Sequence, residues 1–494
     1  MKNFLKYTTM LLAVLLMASC EDFLDVNEDP NNPTSVTPEL VLPVAQVYSA
    51  NVMYANRYIN NLGNMMMYNW SQSDGFSWYY DEFNYAVNAT FYQQIFNYSY
   101  QNTLKQYQVM ESLDAKYDYY KAIAKIMKAY HFQLLVDIYG DVPYSEALQR
   151  GGNATPKYDD AEDIYADLMV QLTAAINLIK NATMPVAVQN DVIFKGNMDK
   201  WIQFANTIKM RMIVRVSDMA TPPFSIATEI AAINTEGSGF ISANVGVNPG
   251  YVDQTDKQNP FWAAFGKNVG GTSNAMNNDA TCATDYVLTY LTNTNDPRIN
   301  KIYEKPATGH KGVPQGLLDY DTPVVDAFMP ALVSNIGPGI LKGFNMDAII
   351  FTLAESKFNL AEAAVKSLIS DDAKTLYEEG ITASFVTLGL TATDAANYLT
   401  SGLTTNLVGW NASLSQKQAI ITQKWIAVNG INAEQSWFDY TRTGYPSGLP
   451  NSLLAPAGVD RPVRLYYPAG EYSSNGANVP TQPDAFTAKV FWAN

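Results

Sequence analysis

The feature that most limits the architectures open to this chain is a series of apolar stripes at helical spacing, arriving in pairs that are split by short breaks. Within residues 115–138, Tyr120, Ile123, Ala124, Met127, Tyr130, His131 and Leu134 fall on one face of a helix. Residues 160–180 repeat the pattern with Ile164, Tyr165, Leu168, Leu172, Ala175, Ile176 and Ile179, and Asp159 is placed to cap this helix, with Glu162 completing a capping box. Between the two sits "DIYGDVPYSEALQ", where Gly140 and Pro143 break the helix and Tyr144 and Ala147 resume packing. A third stripe, "NMDAIIFTLAESKFNLAEAAVKSL", reads as one helix and is followed after a short break by "DDAKTLYEEGITASF"; Ala361, Ala363 and Ala364 let the two approach closely. Near the end, residues 414–429 and 432–440 form another pair around Gly430, with Asn432 and Gln435 in capping-box positions. Helix must therefore bury against helix, and the expected fold class is mainly α.

These hairpins resemble tetratricopeptide pairs, but their irregular spacing predicts a scaffold of divergent repeats and no uniform solenoid. Residues 38–61 are also expected to be helical, after which aromatics crowd a stretch without a clean period. Residues from about 222 to 343 break the pattern altogether: "NVGVNPGYVDQTDKQNPFWAAFGKNVGGTSNAMNND" is a large irregular, loop-rich insertion, and ordered loops of that length usually serve binding.

The N-terminus has the layout of a secretory signal over residues 1–19, with Lys2 and Lys6 beside an apolar run at residues 10–17 that is too short to span a bilayer. Cys20 follows directly, and "MASC" resembles the lipobox of bacterial lipoproteins, in which that thiol carries the lipid. Residues 20–45 are rich in acids, Asn, Pro, Ser and Thr and read as a tether. With Cys20 acylated, Cys282 has no partner for an intramolecular disulfide, so stability must come from the core. A formal charge of -15 argues against nucleic acid as a partner and against electrostatic adhesion to an anionic membrane surface.

Catalytic constellations are poorly supported. The chain has only His131, on an apolar face, and His310, in the loop "KPATGHKG"; no HExxH, Gly-x-Ser-x-Gly or Walker-type loop occurs, and neither a catalytic residue, a metal ligand nor a cofactor is assigned. Glu355 and Glu362 share a helix face about 10 Å apart along its axis, beyond the roughly 6.5 to 9.5 Å of inverting glycosidase carboxylates. Pairing with Lys or Arg on a neighbouring helix is the expected role of both. Trp425 and Trp437 are expected to pack two short helices together, and Asp296-Pro297-Arg298 to form a turn with a salt bridge.

Six blocks, "DIYGDVPYSEAL", "WIQFANTIKMRMIVRV", "LAESKFNLAEAA", "YEEGITASF", "QKWIAVNGINAEQSWFDYTRTGYP" and "RPVRLYYPAGEYSSNGAN", occur in an order that resembles the SusD/RagB family of Bacteroidetes outer-membrane lipoproteins, in particular its SusD-like family 2 branch. The resemblance implies a SusD-like domain over residues 46–494, lipid-anchored in the outer membrane through Cys20 and facing the cell exterior. It further implies four tetratricopeptide-like helix pairs, a loop-rich face that captures a nutrient, and work as a lid on a SusC-like TonB-dependent transporter. Glu21 and Asp22 then resemble the acidic signal that sends such lipoproteins to the outer face.

The expected function is non-enzymatic capture of a glycan or oligosaccharide; peptide capture by the same architecture, a surface glycoside hydrolase and a scaffold for a protein partner are the alternatives. Two stretches suit a sugar, since they combine aromatics with glycine, amides and acids outside the helical stripes. "SDGFSWYYDEF" offers Trp78, Tyr79, Tyr80 and the acceptor Asp81, and "NPGYVDQTDKQNPFWAAFGKN" offers Tyr251, Trp262 and Asn268. Trp78 and Trp262 are the expected platforms, presented with the help of Gly75 and Gly266.

Overall fold

The computed structural model describes residues 37–149, 152–317 and 326–493; the predicted signal, Cys20 and most of the predicted tether lie outside them. Helix α1 (Pro38–Tyr54) starts within the span read as tether, with Pro38 in its first turn, where a missing N–H costs nothing. It does not continue to residue 61 as its pattern suggests. Arg57 turns the chain at φ +61, and α2 (Ile59–Met66) begins as a separate helix. Side chains take up backbone groups left open by this break: Arg57 N donates to Asn61 Oδ1 at 3.0 Å, and Gln94 Nε2 donates to the Arg57 carbonyl. Strand β1 (Trp70–Gln72) and the short helix α3 (Gln94–Tyr98) follow.

Helix α4 (Asp118–Tyr139) buries its whole predicted stripe and ends at Gly140, φ +75. Strands β2 (Val142–Pro143) and β3 (Tyr158–Asp159) pair antiparallel and lead into α5 (Ala161–Asn181), which packs along α4. The cap of α5 is Asp160 and not the expected Asp159: its carboxylate accepts from Glu162 N at 2.8 Å and Asp163 N at 3.3 Å. Asp159 lies in β3 and instead accepts from the N–H groups of Tyr144 and Ser145, at 3.0 and 2.8 Å. Helix α6 (Met198–Val216) packs on both α4 and α5.

The span read as irregular opens with a regular helix of 11 residues, Ile226–Glu236, and carries another over Asp285–Asn293; between them lie short elements, β4 (Val245–Val247), α7 (Pro260–Phe265), α8 (Met276–Ala280) and β5 (Thr281–Ala283). Strand β5 pairs with β1, and β4 pairs with β6 (Ala348–Phe351). Residues expected to open a long helix are thus a strand, because a β-branched and aromatic run suits a ladder better than a first helical turn. Thr352 then caps α9 (Leu353–Val365), accepting from Glu355 N at 3.1 Å. Helices α9 and α10 (Ala373–Thr387) form the predicted hairpin, and α11 (Gln416–Val428) and α12 (Ala433–Thr443) the last pair. The expected capping box at Asn432 is not made; its Nδ2 donates to the Ile349 carbonyl at 3.2 Å, tying α12 to β6.

Buried charges join these helices. Glu355 receives a fork from Arg211 of α6 at 2.8 and 3.2 Å, and Glu362 one from Arg442 of α12 at 2.6 and 2.8 Å, which accounts for both acids as scaffold pairs. Arg298 grips Asp296 at 2.6 Å and reaches Ser384 and Gln423 at 3.0 and 2.6 Å. Trp425 and Trp437 are fully buried, the first against Tyr286 and Tyr290, the second with its indole N–H on the Pro462 carbonyl at 2.8 Å.

Glu434, in the first turn of α12, is buried as well, and this desolvation pushes its carboxyl up from 4.5 to about 8. The folded chain therefore keeps a proton that the unfolded chain gives up, and the stability contributed by this group falls as pH rises through that window. Glu434→Gln is expected to match the parent protein near pH 4 and to exceed it near pH 8, as measured by urea denaturation at both. Parallel pH profiles for the two proteins would count against a proton on Glu434.

Candidate functional site

The turn that carries Trp78 is built around the amide of Gln72. Its Oε1 accepts from Trp78 N at 2.6 Å and Tyr79 N at 3.1 Å, and its Nε2 donates to the Phe76 carbonyl at 2.5 Å, so one side chain folds residues 73–79 over the end of β1. Gly75 supplies the left-handed step at φ +86. From outside the turn, Arg57 Nη2 donates to the Trp78 carbonyl at 2.5 Å. Trp78 is half-buried, its indole edge-to-face with Phe76 at 5.6 Å, while Tyr80 is 60% exposed and Asp81 is exposed.

Tyr79 takes the opposite direction. It is buried, and its hydroxyl lies 2.7 Å from Thr281 Oγ1 in β5, so it cannot serve as a ligand platform. The alternation has a simple cause: with Gln72 holding both N–H groups, neighbouring side chains leave the turn on opposite sides, and the core takes the middle ring.

Helix α7 presents the second ring. Asn259 caps it, accepting from Phe261 N at 2.9 Å and Trp262 N at 3.1 Å. Phe261 and Phe265 point inward onto Trp70, with ring centroids 6.2 and 5.3 Å away, which leaves Trp262 on the outer side, half-buried. Its indole folds over Gly266, where a Cβ would come within 2.4 Å of the ring. Beyond it, a bridge between Lys267 and Asn274 closes a small hairpin, in which exposed Asn268 donates to Ser273 Oγ at 2.6 Å. Tyr251 is only 8% exposed and packs into the core beneath, so it too is a support and no contact surface.

The two stretches meet across α8 and β5. Ser73 N donates to the Ala280 carbonyl at 3.1 Å, and Asn278 Nδ2 to the Phe265 carbonyl at 2.7 Å, so the Trp78 turn and α7 hold adjoining parts of one segment. Met276 on α8 is 65% exposed. Arg57 and α8 had no signal in the sequence, because each acts through a partner distant along the chain, and Gln72 had none because its local bonds to Phe76, Trp78 and Tyr79 follow no recognised turn pattern.

Chemically, this face offers flat rings and neutral or singly acidic acceptors. No group of three or more His, Cys, Asp or Glu suited to a metal ion occurs among the described residues. His131 lies buried against Ser49 Oγ at 2.8 Å, and burial pushes it down to about 3; His310 is held between Ser334 and Asn300 at 2.9 and 3.0 Å.

Paired helices that bury their charges between them, with loops carrying half-buried aromatic rings at their side, define a helical-repeat scaffold. The chain belongs to the SusD-like family: the family model described as "Starch-binding associating with outer membrane" matches residues 30–468. Solved structures agree in fold. A SusD homologue from Bacteroides fragilis superposes with a TM-score of 0.70 at 24% identity, over 93% of this chain and 99% of that one. A chitin-binding SusD homologue from Flavobacterium johnsoniae gives 0.74 at 21% identity, over 92% and 98%. Another chitin-binding protein gives 0.73 at 23%, over 93% and 100%. No curated protein matches the chain. The family places the protein at the outer membrane, and no helix among the described residues is long and apolar enough to cross a membrane.

Proposed function

We propose that the protein is a cell-surface lipoprotein, anchored through Cys20, that captures a glycan or oligosaccharide without cleaving it and delivers it to a SusC-like TonB-dependent transporter. The observation that carries this reading is the pair of half-buried indoles, Trp78 and Trp262, on adjoining parts of one loop-built face, with Tyr80, Asp81 and Asn268 exposed in the same two stretches. A sugar ring stacks its C–H face on an indole and leaves its hydroxyl rim to such acceptors. Family membership and the two chitin-binding structural neighbours support the carbohydrate class.

A glycan array followed by calorimetry on the hits tests this, with product analysis of the same mixtures for cleavage. Trp78→Ala and Trp262→Ala are each expected to lose roughly 2 kcal/mol or more of binding while remaining folded, as anchoring rings do. Parental affinity in both variants would place the site elsewhere. An array on which only peptides bind would replace the glycan with the peptide reading.

Anchoring is tested separately. Acyl chains hold a protein at a bilayer by about 0.8 kcal/mol per buried CH₂, so Cys20→Ala is expected to lose fatty-acid label and leave the membrane fraction. Equal labelling of the variant would exclude Cys20 as the attachment point.

A further inference from the structure

A cavity of about 770 Å³ lies where α3 and the turn after it meet residues 143–156 and the helix Ala469–Ser474. None of its lining residues belongs to the Trp78 or Trp262 stretch. Phe96 and Tyr100 supply rings to the lining, 4.6 Å apart between centroids, and Pro143, Leu148 and Pro156 extend its apolar part. The Tyr100 hydroxyl donates to the Pro143 carbonyl at 2.6 Å, which fixes that ring in place. Tyr100 sits in a π-helix, Ser99–Leu104, a wide turn that recurs at functional sites.

Two opposite charges line the same cavity without bonding to each other. Lys105, directly after the π-helix, pairs with no acid among the described residues, and no Lys or Arg among them pairs with Glu471. Both side-chain bonds that Glu471 accepts end on Oε2, from the Tyr158 hydroxyl at 3.0 Å and Asn475 Nδ2 at 3.5 Å, so Oε1 takes none among the described residues. The rest of the lining is alanine and amide, with Asn97 and Gln101 on the same side as the rings. A neutral sugar leaves both charges unanswered, and a simple ion answers one of them. A zwitterion answers both, through charge-assisted hydrogen bonds about twice as strong as neutral ones.

We propose that this cavity binds a zwitterion with an apolar body, a free amino acid or a short peptide. Its ammonium meets Glu471, its carboxylate meets Lys105, and its side chain packs on Phe96 and Tyr100. The site uses residues apart from the two tryptophan stretches and does not rest on the glycan reading.

The probes are leucine, phenylalanine and leucylleucine, each free, N-acetylated and C-amidated, titrated into the folded protein by calorimetry. At least one free probe is expected to bind, and capping either end to cost about tenfold. Glu471→Gln keeps an acceptor for Tyr158; it is expected to lose about tenfold for the free and amidated forms and nothing further for the acetylated form. Lys105→Gln is expected to show the reverse, with its loss on the free and acetylated forms. Binding confined to leucylleucine assigns the cavity to peptides, and binding of the single residues assigns it to amino acids. Equal affinity for free and capped probes, or losses that do not follow the capped end, overturn the charge matching and the proposal with it. Absence of binding by every free probe overturns the site, and leaves glycan capture to stand or fall on its own array.

Discussion

Gly63→Ala is expected to cost more than about 3 kcal/mol and to leave little folded protein at physiological temperature, beyond the usual range for an added methyl group. Helix α2 crosses the start of α12 at this residue. A Cβ there would sit 2.1 Å from Glu434 N and 2.4 Å from the Ala433 carbonyl carbon. Both are backbone atoms, so no rotamer change relieves the overlap and the helices must separate. Separation also breaks a buried amide ladder across the crossing. Asn60 Nδ2 donates to the Gly430 carbonyl at 3.0 Å, Gly430 N donates to Asn64 Oδ1 at 3.0 Å, and Ala433 N donates to Asn60 Oδ1 at 3.3 Å. Leaving such groups unmade costs about 1 to 3 kcal/mol each. Thermal and urea denaturation check the outcome; a loss below about 1 kcal/mol would show that the crossing yields more easily than its backbone contacts imply.

Arg442→Ala is expected to cost about 3 to 5 kcal/mol, the typical loss when one partner of a buried ion pair is removed. Arg442 holds Glu362 with two short bonds and reaches Asp218 and Asp439 at 3.1 and 3.2 Å. Burial alone would raise the Glu362 carboxyl; the guanidinium outweighs it and holds the group below its ordinary value. The pair's contribution is thus present above the ordinary carboxylate range and is lost as pH falls through the depressed folded value. Lys366 and Lys424 remain near the stranded acids, at 3.1 Å from Glu362 and 2.8 Å from Asp439, and keep the loss within this range. Replacing both partners, Arg442→Met with Glu362→Leu, is expected to recover much of the stability, because no charge is then left unpaired. Urea denaturation of the two singles and the double closes the cycle. A double variant worse than the sum of the singles would mean that the charges are needed in themselves.

The scaffold was legible where one helix face alone sets the outcome. The stripes of α4 and α5 are read from local spacing, and both are buried as predicted. Reading failed where a distant partner decides: the run "AIIF" is a strand because Val245–Val247 waits beside it, and Asn432 abandons its cap for the Ile349 carbonyl. At the candidate site, composition pointed to both stretches, and the structure brings them to adjoining parts of one segment. Which ring faces out was not legible. Trp78 and Tyr79 are adjacent and chemically alike, and only the hydroxyl of Thr281 in β5 and the grip of Gln72 send Tyr79 inward and leave Trp78 half-exposed.

By itself, then, the sequence determined a mainly helical scaffold of divergent pairs, the place where the regular pattern gives way to loops, and the acids on α9 that had to be paired. Periodicity and the cost of burying an unpaired charge act within a helix or between any two that pack, so no coordinates are needed to apply them. The tertiary structure alone decided the outward-facing rings and the Gly63 crossing. Each depends on groups far apart in the chain, such as Tyr79 with Thr281 or Gly63 with Glu434, whose approach follows from the packing of the whole core and leaves no mark in local spacing.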